Sequence, residues 1–212
     1  MRIRKRKTVL LTVAIAFALQ ALPISYGVAQ TALETKAASV PVTPRLQSAG
    51  ALSFGPNNVL FVGDSKGGFV HAFELSDRDI DSQAGVALGN AQTFEGVDLL
   101  SDIGAKAARL LSVHADDIRI NDMVIHKPSK QVFLSVHRGH GPDTVPVILK
   151  VNNGQLERLS LEKIKYSSAN VGPVPVHETL EFGQPQNMLA ITDIDYWEGE
   201  IFVSGVSNEE FA

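Results

Sequence analysis

Three stretches of this chain share one pattern, and that repetition constrains the fold more than any other feature. They are ALSFGPNNVLFVGDSKGG at 51–68, NDMVIHKPSKQVFLSVHRGHG at 121–141 and ITDIDYWEGEIFVSGVSNEE at 191–210. Each is an apolar strand, a tight polar turn and a second strand centred on a phenylalanine. Phe61, Phe133 and Phe202 align, and a small residue follows two positions on, at Gly63, Ser135 and Ser204. The turns GPNN, KPSK and WEGE suit hairpins. GFVHAFEL (68–75) and VPVILKV (145–151) supply third strands, and QLERLSL, after the turn signal NNG, a fourth.

Four antiparallel strands per repeat is the layout of a propeller blade. On these hairpins, the chain resembles the secreted β-propellers of the broad NHL and gluconolactonase-like kind. The resemblance covers about half the chain, is one of architecture, and implies no particular activity. The expected fold is therefore mainly β: propeller blades in an N-terminal partial propeller, with a helical insert near 97–113. Blade one spans 49–96, blade two 119–161 and a partial blade three 189–212, with a loop insert at 162–188. The Phe-to-Phe spacings of 72 and 69 exceed those of ordinary blades, so the surplus falls in the inserts. In the first, Leu99, Ile103, Ala107 and Leu110 recur at helical spacing, widened by Leu100 and Leu111, and a helix on the propeller rim is expected. Two and a half blades do not close a ring. The expectation is that the chain belongs to a longer protein, the alternative being an open or oligomer-completed sheet assembly.

The first residues, MRIRKRK, precede a run of about fifteen apolar residues and then Gly27-Val28-Ala29, the order of a secretory signal peptide cleaved after Ala29. The run is shorter than the ~20 residues of a membrane span, so no span is expected after cleavage. No Cys follows it, which excludes a lipidated cysteine anchor. Residues 30–48 read as a linker. Removing 1–29 takes away five Lys/Arg and no Asp/Glu, leaving 14 basic against 23 acidic residues, a net of −9. Such a surface repels phosphate backbones and disfavours nucleic acid as a partner. The expected location is periplasmic or extracellular, and with no cysteine in the chain its stability must come from a packed core.

In a propeller, the loops between second and third strands share one face. That places Asp64, Ser65, Lys66, His137, Arg138, His140, Asp143, Ser207, Asn208 and Glu209 around one mouth. Within VHRGHGPD, His137, His140 and Asp143 are a partial ligand set for a divalent metal, the candidate cofactor; as a polar turn, the same residues need no ligand. Asn121-Asp122 and Thr192-Asp193 are channel-facing ligands by the lactonase resemblance; as ordinary aspartates, Asp122, Asp193 and Asp195 cap strand ends. His71 and His126 read as surface or interblade residues. No Gly-x-Ser-x-Gly, Walker or His-Glu-x-x-His motif is present. Two function classes stand: a binding module whose loop face holds a protein, glycan or small molecule, and a metal-dependent hydrolase or isomerase of the lactonase-like kind.

Overall fold

The computed structural model describes residues 9–11, 45–80, 102–141, 144–152, 154–174 and 186–206. The protein is mainly β, and its strands form three antiparallel sheets. The first holds β2 (Leu52–Phe54), β3 (Val59–Asp64), β4 (Phe69–Glu74) and β9 (Lys165–Asn170), in that order. The second holds β5 (Ile118–His126), β6 (Gln131–Arg138), β7 (Val145–Asn152) and β8 (Gln155–Arg158). The third holds β10 (Asp193–Trp197) and β11 (Glu200–Gly205), with β1 (Val9–Leu11) on the other edge of β11. β1 falls in the segment read as the apolar core of a signal peptide. No helix among the described residues is long and apolar enough to cross a membrane.

The hairpins form where alternation and turn chemistry place them. β10 and β11 are joined by Glu198-Gly199, with φ of 48° and 94°. Two positive φ values make the tight turn whose twist matches the strands, and glycine takes the second at no steric cost. The apolar run VLFV of β3 is buried on both faces, because the first sheet is the middle layer of the stack. Leu60, Val62 and Phe73 pack against Phe133 and Ile148 of the second sheet. On the opposite face Phe61, Val70 and Ala72 pack against Ile194, Ile201 and Val203 of the third. Each fully buried Phe or Leu contributes about 2–3 kcal/mol.

The two inter-sheet interfaces are built alike. Phe61 of β3 stacks on Tyr196 of β10, ring centroids 6.0 Å apart. At the matching positions, Phe133 of β6 meets Phe54 of β2 at 5.2 Å, edge to face. Beyond the phenylalanines, Ser65 Oγ binds the backbone of Ile191, donating to its carbonyl at 3.0 Å and accepting from its N–H at 3.2 Å. His137 Nε2 accepts from the N–H of Ala49, the residue equivalent to Ile191, at 3.0 Å. The small residue after each phenylalanine is where the neighbouring lead-in approaches. A Cβ on Gly63 would lie 2.9 Å from Ile191 Cγ2. Ser135 Oγ donates to the carbonyl of Gly50 at 2.6 Å.

Two sequence expectations are corrected, the order of the repeats and the loop at 162–188. The spatial order is third, first, second sheet, so the third hairpin lies beside the first, on the side away from the second. Among the described residues the sheets stack without closing a ring. The segment 162–188, read as a loop, contains β9, which completes the first sheet as its fourth strand along β4; residues 81–101, which include the end of the expected blade one, are outside the described residues. The insert helix α1 (Ile103–Leu111) is present, N-capped by Asp102, whose carboxylate accepts from Ala105 N–H. It lies on the outward face of the second sheet through Ile103, Ala107 and Leu111, whereas Leu110 is 41% exposed. The packed face is thus the i, i+4, i+8 row, one position on from the row that ends at Leu110; Leu99 and Leu100 are outside the described residues.

Candidate functional site

The end of β3 carries the most heavily engaged carboxylate described. Asp64 is buried, and its oxygens accept from the N–H groups of Gln47, Ser48 and Gly67 and from the Ser48 hydroxyl, at 2.8–2.9 Å. Burial pushes its pKa up, but the His71 imidazole nearby and the hydrogen bonds from Gln47, Gly67 and Ser48 outweigh that, so the carboxyl lies below its usual value. Glycine is required at 67 because a Cβ there would lie 2.5 Å from Asp64 Oδ2. Asp64 therefore pins the segment before β2 to the β3–β4 turn.

His137 holds the next residue of that segment through Ala49 N–H. It is buried, and its pKa is lowered to about 4, first by burial and then by the positive charges of Lys66 and Arg119, with Asp64 opposing. The ring is neutral at physiological pH and acts as an acceptor. Asp64 and His137 are interior braces, and of the loop-face residues Asp64, Lys66 and His137 it is Lys66 that is half-buried rather than buried.

The three candidate metal ligands do not converge. His137 Nε2 is occupied by Ala49. His140 is exposed, and its Nε2 meets Asp117 Oδ1 at 2.8 Å. Asp143 is outside the described residues, as are Ala29, His177, Ser207, Asn208 and Glu209. Among the described residues no group of three or more His, Cys, Asp or Glu is placed to hold a metal ion. Arg138 ends β6, half-buried. The other aspartates act on backbone N–H groups: Asp122 on Met123 and, at 2.7 Å, on Leu52; Asp193 on Ile194; Asp195 on Tyr196. Asn121 and Thr192, with the equivalent Gly50, line a small cavity of about 210 Å³ between the lead-ins. His126 is buried between two turns, with Nδ1 2.8 Å from Ser129 Oγ and Nε2 3.1 Å from Asn58 Oδ1.

A cleft of about 860 Å³ opens on the loop side between the first and second sheets. Its charged lining is Arg45, Lys66, Arg158 and Glu162, three cations to one carboxylate. Among the described residues no carboxylate lies within ion-pair distance of Arg45, Lys66 or Arg158. Pro146, Leu46 and Leu161 give it an apolar floor. Of this set sequence reasoning singled out only Lys66. Arg45 and Arg158 are 113 positions apart in the chain, and no local pattern joins them.

Comparison with protein-family models, with curated proteins and with solved structures returns no match.

Proposed function

We propose that this chain is an exported binding module with propeller-like repeats, and that its loop-side cleft takes an anionic small molecule or an acidic glycan. The observation that carries the reading is the cationic lining of that cleft in an otherwise acidic protein. Arg45, Lys66 and Arg158 carry no ion-pair partner among the described residues, and an anion bound there would supply one. The apolar floor suits the carbon skeleton of such a ligand. The propeller reading is supported by the two like-built interfaces, since blades related by one rotation must meet through equivalent residues.

Calorimetric titration with trigalacturonate, a tricarboxylated oligosaccharide, tests the ligand class. Binding is expected to weaken as salt rises, because exposed charges are screened. Reversing two cations in Lys66→Glu/Arg158→Glu is expected to weaken it by at least tenfold, on the order of 1 kcal/mol per lost charge-assisted contact. Titration heats that are absent, or indifferent to both salt and charge reversal, would end the anion reading.

A further inference from the structure

An exposed hydroxyl on the outer strand of the first sheet stands in front of a buried imidazole that has one nitrogen without a partner. The β4–β9 register sets His71 directly opposite Ser168, and Ser168 Oγ lies 2.7 Å from Nδ1. His71 is 7% exposed, held among the rings of Phe69, Phe73 and Tyr166. Its Nε2 is buried and makes no hydrogen bond. The group it faces is Asp64, with Oδ2 3.8 Å away, too long for a hydrogen bond but close enough for strong attraction at a buried site. His126 and His137, the other buried histidines described, spend Nε2 on a protein partner. His71 does not, and leaving a buried polar nitrogen unsatisfied is costly.

The carboxylate decides the tautomer. A lone pair on Nε2 would face the negative Asp64 and be repelled, whereas an N–H there is attracted. Nε2 therefore carries the proton, Nδ1 carries the lone pair, and the 2.7 Å contact is a hydrogen bond donated by the Ser168 hydroxyl. The hydroxyl, the base and the buried negative charge are then aligned in series. This is the logic of an activated serine with the roles of the two ring nitrogens exchanged.

We propose that Ser168 is a nucleophile for acyl transfer from carboxylic esters, with His71 as its general base and Asp64 as a positioning residue that stabilises the imidazolium. This goes beyond the binding reading and rests on different residues. As Ser168 Oγ bonds to the ester carbonyl carbon, its proton passes to Nδ1. The tetrahedral species collapses by breaking the bond to the alcohol oxygen, which leaves with the proton from Nδ1. Water then attacks the acyl-serine, giving a proton to Nδ1. The acid departs as that proton returns to Ser168 Oγ. Among the described residues β9 is the edge strand of its sheet, so alternate N–H groups along it point away from β4, where they could bind the oxyanion.

The test is labelling of the purified full chain with a fluorophosphonate, peptide mapping of the adduct, and hydrolysis of p-nitrophenyl acetate followed against pH. The adduct is expected on Ser168. Ser168→Ala, at an exposed position, is expected to remain folded with a lower melting temperature, since His71 loses its hydrogen-bond partner, and at a temperature where it is folded to lose the label and at least 100-fold of the turnover. His71→Asn is expected to lose a similar factor, within the range of general-base catalysis. In Asp64→Asn, assayed at a temperature where the variant is folded, kcat is expected to fall with KM unchanged, because the imidazolium formed during the reaction has lost its counter-charge. Labelling elsewhere, no labelling, or wild-type turnover in Ser168→Ala would overturn the assignment, whatever the titration with trigalacturonate shows.

Discussion

Asp64→Ala is expected to lower the free energy of unfolding by about 3–5 kcal/mol, a large fraction of the stability of a domain this size. The carboxylate accepts from three backbone N–H groups and one hydroxyl, and the N–H and hydroxyl of buried Ser48 would lose this acceptor out of reach of bulk water. The loss also releases the segment 45–49 that carries Arg45, Leu46 and Gln47 into the cleft. Chemical denaturation of the two proteins checks this. Asp64→Asn retains one acceptor oxygen and is expected to fall between them. A loss under 1 kcal/mol for Asp64→Ala would mean that the segment is held by other contacts.

The second large effect is acid sensitivity set by His137. Its folded-state pKa of about 4 lies below the ordinary histidine value of 6.5. Between these two values the unfolded chain binds a proton that the folded chain refuses, so stability rises with pH across that window. The contribution is complete above pH 6.5 and is lost as the pH falls from there to about 4. It amounts to at most about 3 kcal/mol. His126, also lowered by burial, acts with the same sign. Asp64, whose folded pKa is depressed, gives stability that is present above its unfolded value near 4 and lost below it. Denaturation midpoints from pH 7.5 to 4 are expected to fall steadily in the wild type. In His137→Gln, whose amide oxygen offers Ala49 an acceptor without a titrating group, the fall is expected to flatten. An equal slope in both proteins would remove His137 from the account.

Much of the fold was legible because its signals are local. Alternation and turn residues located the hairpins at 52–64, 118–138 and 193–205, and the aligned phenylalanines marked true structural equivalents. β9 was not legible: KYSSAN is short and polar, on an outer edge where most positions are exposed, and only pairing with β4 makes it a strand. The order of the sheets was not legible either, since a repeat defines the faces of each unit but not which neighbour covers them. VHRGHGPD reads as one loop between strands, whether a partial ligand set or a polar turn, yet β6 runs through Arg138. Phe133, Ser135 and His137 alternate on one buried face, so the period of two alone would have turned His137 inward and separated it from His140. The cleft cations come from three separate segments, and packing alone assembles them.

The claim that matters most is that the loop-side cleft binds an anion. Amide chemical-shift mapping of the ¹⁵N-labelled protein during titration with trigalacturonate tests it most directly. The account predicts saturating shifts concentrated at Leu46–Gln47, Lys66, Thr144–Ile148 and Arg158–Glu162, with β10 and β11 undisturbed. Shifts scattered over the surface, centred on another face, or absent at millimolar ligand would contradict it.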